Sequence, residues 1–387
     1  MFRLFLSSQW RGLKLWVALL RPGPPRRAWW ARIALLLLWP LWMLIQLWHW
    51  LGFALDEVCF RGWRKVPVRS PLFVLGPPRT GTTALHRLLA LDPESTTFTL
   101  WEGLFGLSVT GRRVVRGLIR LDRVLGRPGG RLLSVFGRRL AGPLDQIHPL
   151  SLDAPEEDFL CFLPTMQCFL LVALFPTAPW LWRFARLDEA DAAERRDAMR
   201  WYAACIQKHL YVSGPGRRFV SKNASFCGLG QSLLETFDDA VLIGLYRDPQ
   251  QVVPSQLSAL QPALRAAGFR EFPESLRDGL IEFIAYGWQH LLDLKQAHPQ
   301  RVAIVHNARL RTDPVGTVTS TLAELGRPVG EDFGQRLRQA TGTPRSPRTG
   351  HRYQAADFGL SAQCIERRFA ELRARYEHDV RAQTADV

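Results

Sequence analysis

Lysine is scarce in this chain of 387 residues: Lys14, Lys65, Lys208, Lys222 and Lys295 are all there is, although 50 basic residues face 35 acidic ones. Arginine therefore supplies nearly all of a net charge of +15 and a pI near 10.3. Such a balance suits an anionic nucleotide, an anionic membrane surface or nucleic acid. The arginines are scattered and no nucleic-acid motif is present, which sets nucleic acid aside as a partner. Cys59, Cys161, Cys168, Cys205, Cys227 and Cys364 form no C-x-x-C pair and no metal-ligand cluster with histidine. They read as small buried apolar residues in a reducing compartment, and no metal site is expected. No small-residue cleavage site follows the long apolar run near the amino terminus, which argues against a secretory signal.

A further absence sits inside the most informative stretch, Leu72 to Leu91 (LFVLGPPRTGTTALHRLLAL). An apolar run, Leu72-Phe73-Val74-Leu75, breaks at Gly76-Pro77-Pro78 and passes through Arg79-Thr80-Gly81-Thr82-Thr83 into a segment with Leu85, Leu88 and Leu89. That is a buried strand, a glycine loop and a helix N-terminus, an arrangement that cradles phosphate. A nucleoside-triphosphate loop would read G-x-x-x-x-G-K-[ST], with its lysine on the outer phosphates and its hydroxyl on magnesium. Here Thr82 stands at the lysine position and the positive charge lies at Arg79. The loop suits a phosphate-like group that needs no metal.

The run GPPRTGTT with its leucine-rich helix resembles the loop that binds the 5′-phosphosulfate of 3′-phosphoadenosine 5′-phosphosulfate (PAPS) in sulfotransferases. A second stretch supports the resemblance: Ala240 to Ser258, AVLIGLYRDPQQVVPSQLS. An apolar strand gives way to Tyr246-Arg247-Asp248-Pro249, with the proline well placed in the first turn of a helix. The resemblance implies that Arg247 and, eight residues on, Ser255 hold the 3′-phosphate, while Pro78, Arg79, Thr80, Gly81, Thr82 and Thr83 hold the phosphosulfate. Residues 217 to 223 (RRFVSKN) read as a short strand ending in Lys222, which the resemblance places on the bridging oxygen as sulfate leaves. Asn223 and Ala224 depart from the family's Ser-Pro at this point. A basic loop within Thr343 to Tyr376, with Arg345, Arg348, His351 and Arg352, resembles the family's carboxy-terminal closure over the 3′-phosphate.

For the general base two residues compete. Glu102, in a Trp-Glu pair within Thr96 to Leu107, matches a family position, and its alternative role is a carboxylate paired with arginine. His148, in Asp145 to Phe159 (DQIHPLSLDAPEEDF), is the other, since an unperturbed histidine titrates near pH 6.5. Glu156 and Glu157 read as a helix start behind Pro155, with Glu157 lining the acceptor pocket. Phe159 to Phe184 is apolar but broken by Pro164, Pro176 and Pro179, and reads as buried helices or an acceptor channel.

Strands at Leu72, Arg217, Val241 and Arg301 alternating with helical patterns imply an α/β fold: a P-loop three-layer sandwich on a central parallel sheet, with helical substrate insertions. Its ligand would sit at the carboxyl ends of the strands. Two segments are expected, a membrane-associated 1–70 and a catalytic 71–387. Ile33 to Leu55 runs 23 residues without a charge, enough to cross a bilayer core of roughly 30 Å. It reads as a spanning helix, as a hairpin bent at Pro40, or as an interfacial helix with Gln46 and His49 exposed. Because PAPS is made in the cytosol, the catalytic part is expected there. The enzyme implied transfers a sulfuryl group from PAPS to the hydroxyl or amine of a lipid, another hydrophobic alcohol or a carbohydrate. A P-loop kinase and a non-catalytic membrane-tethered nucleotide-binding protein are the alternatives.

Overall fold

The structure is a computed structural model that describes residues 2–21, 26–131, 152–341 and 355–385. Strands β1 (Leu72–Leu75), β2 (Ser95–Thr96), β3 (Arg218–Lys222), β4 (Val241–Tyr246) and β5 (Val302–His306) form one sheet. Their order is β2-β3-β1-β4-β5 and every pairing is parallel. Leu72 is in register with Val220 on one side and with Val241 on the other. Strands β1 and β4 are buried along their whole length, which is why they read as unbroken apolar runs. Successive side chains alternate between two cores, as the pleat requires. Phe73, Leu75 and Leu242 face the larger one, and Leu72, Val74 and Ile243 face a smaller one closed by Leu85, Leu322 and Leu337. Helices thus cover both faces, and the expected three-layer α/β sandwich is what the chain forms.

The helices begin where their side chains can cap them. Asp191 accepts from the amides of Ala193 and Glu194 at 3.0 and 2.9 Å and starts the helix Ala192–Ser213. Asp248 does the same for Gln250 at 2.9 Å, with Pro249 in the first turn of the helix Pro249–Ala266. Residues 158 to 189 make only short pieces, a 3₁₀ turn at Asp158–Phe162, one helical turn at Leu171–Leu174 and a kinked 3₁₀ run at Pro179–Glu189. Cys161, Cys168, Cys205 and Cys227 are buried as expected, but Cys59 and Cys364 are exposed.

The amino-terminal region packs on the rest of the chain. Helices α1 (Phe2–Leu20) and α2 (Trp29–Cys59) pair antiparallel, with Phe5 edge-on to Trp50 and Gly12 against Trp39. They are not set apart from the rest: Leu4, Leu15, Leu19 and Phe53 belong to the larger core of the sheet. Phe53 stacks on Trp201 with ring centroids 4.4 Å apart. Gln46 and His49, which the interfacial-helix reading alone placed toward water, are 3% and 1% exposed. The polar side of α2 turns inward because it has partners there. Asp56 forms a fully buried ion pair with Lys208 at 2.7 Å and accepts from the amides of Val109 and Thr110 at 2.8 Å each. Breaking such a pair by removing one partner typically costs about 3–5 kcal/mol. The two amides belong to the start of a further helix, reached through α3 (Thr82–Leu89) and α4 (Leu100–Phe105), namely α5 (Val109–Val124).

Candidate active site

Three neighbouring strands, β3, β1 and β4, bring the site together at their carboxyl ends. Strand β1 runs into the glycine loop, and α3 begins at Thr82 with Gly81 as its cap in the left-handed region, φ +103°. A Cβ at Gly81 would collide with Asn307 Nδ2, so only glycine fits that turn. Asn307 in turn donates to the carbonyl of Thr80 at 2.8 Å, and Thr80 Oγ1 donates to the carbonyl of Pro77 at 2.7 Å. Thr80 is fully buried and holds the loop's shape from beneath, while Thr83 and Pro78 are partly open. The first amides of α3 have no partners within the helix and sit under the loop, which makes the turn an anion cradle.

Arg79 stands in the left-handed region at φ +70°, an uncommon conformation for a residue with a side chain. Its Nε donates to Ser255 Oγ at 3.1 Å, and Arg247 Nη1 donates to its carbonyl at 2.9 Å. The structure thus joins the two stretches that the sequence singled out separately. Arg247 does not pair with Asp248, which is spent on its helix cap, and uses Nε and Nη2 on Gln251 Oε1 at 3.1 and 3.0 Å. Its guanidinium is pushed below its ordinary range by burial and then by the positive charges of Arg311 and Arg79. Three arginines this close favour a multiply charged anion among them. Arg311, on the short helix Asn307–Thr312, was missed in the sequence because nothing local to it marks it out.

Lys222 ends β3 and is almost wholly buried. Its Nζ donates to Glu157 Oε1, and Glu157 Oε2 accepts from the amide of Ala224 at 3.4 Å. Asn223 and Ala224, where the pattern departs from the family's, form a serviceable turn: Asn223 Oδ1 accepts from the amide and hydroxyl of Ser225 at 2.9 and 2.7 Å. Asn223 is itself buried, so its formal glycosylation triplet is part of the interior. His86, on α3, bonds Thr97 Oγ1 through Nε2 at 2.8 Å. Burial, with the nearby Lys222 charge second, lowers its pKa to about 3, so it stays neutral.

Glu157 also lines a cavity of about 180 Å³ together with Pro78 of the glycine loop and Ser225. The rest of its wall is mostly apolar, with Phe159, Phe169, Leu170, Val172 and Leu276 among the lining residues. Part of the broken apolar stretch forms this wall, and its polar lining residues are Glu157, which pairs with Lys222, with Ser225 and Gln256.

Glu102 stands elsewhere. Its Oε2 accepts from the amide of Thr99 at 3.1 Å in a capping box at the start of α4, and its Oε1 pairs with the buried Arg112 at 3.0 Å. Arg112 also donates to the carbonyl of Gly106. One oxygen caps α4 and the other ties it to α5, the arginine-paired role weighed for it in the sequence. His148, Arg345, Arg348, His351 and Arg352 lie outside the described residues. Among the described residues no group of three or more His, Cys, Asp or Glu side chains could hold a metal.

Residues 71–331 match the family described as the sulfotransferase family. The chain is 24% identical over 320 residues to omega-hydroxy-beta-dihydromenaquinone-9 sulfotransferases Stf3 of Mycobacterium bovis and Mycobacterium tuberculosis, covering 80% of this chain and 75% of each of those. In fold it is similar to sulfotransferase STF9 of Mycobacterium avium, with a TM-score of 0.71, 20% identity and coverage of 96% of this chain and 95% of that one. Sulfotransferase STF1 of Mycobacterium tuberculosis gives a TM-score of 0.65 at 18% identity, with 96% and 98% covered.

Proposed function

The chain belongs to the sulfotransferase family, and from that premise we propose that it moves a sulfuryl group from PAPS to the hydroxyl of an apolar acceptor. The observation that carries this reading is the position of Glu157, in contact with Lys222 and lining a largely apolar cavity. The 5′-phosphosulfate takes the glycine loop with Arg79, Thr82 and Thr83, and the 3′-phosphate takes Arg247, Ser255 and Arg311. Arg348 would close over it. The acceptor's apolar body fills the cavity with its oxygen beside Glu157. That oxygen attacks sulfur, its proton passes to Glu157, and the bond from sulfur to the bridging phosphate oxygen breaks. Lys222 turns from Glu157 to that oxygen as charge develops on it, leaving the nucleotide as the 3′,5′-bisphosphate. Most of the work is positioning and charge stabilisation, as in phosphoryl transfer.

The curated relatives support an acceptor of this kind, since their name gives them a hydroxylated dihydromenaquinone. Because the donor is made in the cytosol, the catalytic part faces the cytoplasm. Titration calorimetry with 3′-phosphoadenosine 5′-phosphate, against ATP and ADP with magnesium, tests the donor. Tight binding of the bisphosphate without metal is expected. Preference for magnesium-ATP would hand the site to a kinase and end this reading.

A further inference from the structure

On α2 two sets of residues recur every three or four positions. The inward set is Gln46, His49, Phe53 and Asp56, and the outward set is Leu37, Leu41, Leu44, Leu51, Leu55 and Val58. At 100° per residue they lie on opposite sides of the helix, so the polar edge faces protein and the apolar edge faces out. Helix α1 repeats the pattern, with Leu4, Ser8, Leu15 and Leu19 inside and Leu6, Trp10 and Leu13 outside. Helix α5, tied to α2 through Asp56, adds exposed Leu118, Leu121 and Val124. Soluble proteins seldom leave so many large apolar side chains of packed helices uncovered.

Three observations name what covers it. Residues 1 to 65 carry ten Lys and Arg against two acids, and of those two Asp56 is buried against Lys208; α5 adds Arg113, Arg116, Arg120 and Arg123. Trp10, on the outward side of α1, and Trp29 and Trp30, at the start of α2, are exposed, and tryptophan favours the boundary between lipid and water. A cavity of about 170 Å³ between the two helices is lined by exposed Leu13 and Met43 and by Trp16, Trp39 and Trp42.

We propose that this face docks on a single leaflet of an anionic bilayer and that α2, though long and apolar enough to cross a membrane, does not cross it. Crossing would carry one end of α2 to the far side, yet both ends are bonded to the catalytic half: the amide of Ala28 donates to the carbonyl of Gly268 at 2.8 Å, and Asp56 pairs with Lys208 and accepts from the amides of α5. Lying flat leaves every one of those bonds intact while burying the outward edge in lipid. Resting on the acceptor reading above, the arrangement also explains supply. Arg27, just before α2, donates to the carbonyl of Leu174, in the turn whose Leu170, Val172 and Ala173 line the acceptor cavity. A membrane-borne alcohol then reaches Glu157 from the leaflet.

The test uses the full chain in sealed membrane vesicles and a membrane-impermeant maleimide, with single exposed cysteines taken one at a time: native Cys59, native Cys364 as the marker of the catalytic side, and Arg26→Cys. All three are expected to react from the same side. Reaction of Arg26→Cys from the side opposite Cys364 would make α2 a spanning helix and overturn the proposal. In flotation the protein is expected to rise with vesicles containing about a third phosphatidylglycerol and to bind roughly tenfold less without it. The triple variant L37E/L41E/L44E is expected to stay at the bottom as a monomer while binding the bisphosphate nucleotide normally. Wild-type protein that fails to float, or that covers this face by self-association, would also overturn it. Nucleotide binding is read separately, so failure of docking and failure of the proposed reaction remain distinguishable.

Discussion

On the donor side Arg79, Lys222 and Arg247 each stand within a few residues of the end of a strand, and the sheet's register fixes where their backbones lie. On the acceptor side the cavity wall comes largely from short turns between residues 158 and 189, interrupted by prolines. A charge anchored to a parallel sheet cannot slide without moving the core, whereas a turn can be reshaped by one side chain. On the proposed reading the donor half is the rigid one, and the acceptor half is where members of such a fold can differ.

The sharpest break in this comparison is expected where the halves meet. Glu157→Gln should lower turnover by ~10²–10⁴ and leave affinity for the bisphosphate nucleotide unchanged, as read by steady-state kinetics and calorimetry. Glu102→Gln should do the opposite. Turnover stays within a few-fold, and thermal melts show a loss of about 3 kcal/mol because Arg112 keeps its burial and loses its countercharge. If Glu102→Gln is folded yet inactive, the base has been assigned to the wrong carboxylate.

Next in size is a crossed pair of substitutions. Arg247→Ala should weaken nucleotide binding by roughly ten- to a hundredfold, the worth of a charge-assisted bond, with the acceptor KM unmoved. Ala173→Phe should raise KM for a long apolar acceptor by about tenfold by filling the cavity, with nucleotide affinity unmoved. Any cross-effect would mean the two halves are mechanically coupled.

The smallest change is expected at Asp158, which accepts from Tyr202 Oη beneath the site. Burial pushes its carboxyl up to about 6 from 3.8, against the opposing pull of that hydrogen bond. A raised acid favours the folded state when protonated. Its contribution is complete below pH 3.8 and is lost as pH rises through about 6. Asp158→Asn should flatten the dependence of thermal stability on pH across that window, with turnover at neutral pH little altered.

The donor half was largely legible in the sequence because its signals are local. Leu72–Leu75 and Val241–Tyr246 are continuous apolar runs, and the Arg247 to Ser255 spacing survives into the structure as a contact with Arg79. The rest depended on partners far along the chain. Arg311 joins the anion cluster only through the fold, and Glu157 meets Lys222 across 65 positions. A two-residue strand such as β2 leaves no periodicity to detect. Polar residues in an apolar helix ordinarily mark the side toward water, but Gln46 is turned inward to the carbonyl of Leu163 and to Trp50 Nε1, and His49 lies buried on the same side of α2.

That ion pair also sets a timetable. Asp56 and Lys208 are 152 positions apart, and a ribosome adding about 5–20 residues per second needs roughly 8–30 s to pass from one to the other. Throughout that interval α2 exists with its apolar edge complete and its polar edge unanswered. Under the docking proposal, lipid is the partner open to this helix during synthesis, and Lys208 supplies the countercharge for Asp56 only once the catalytic half has been made.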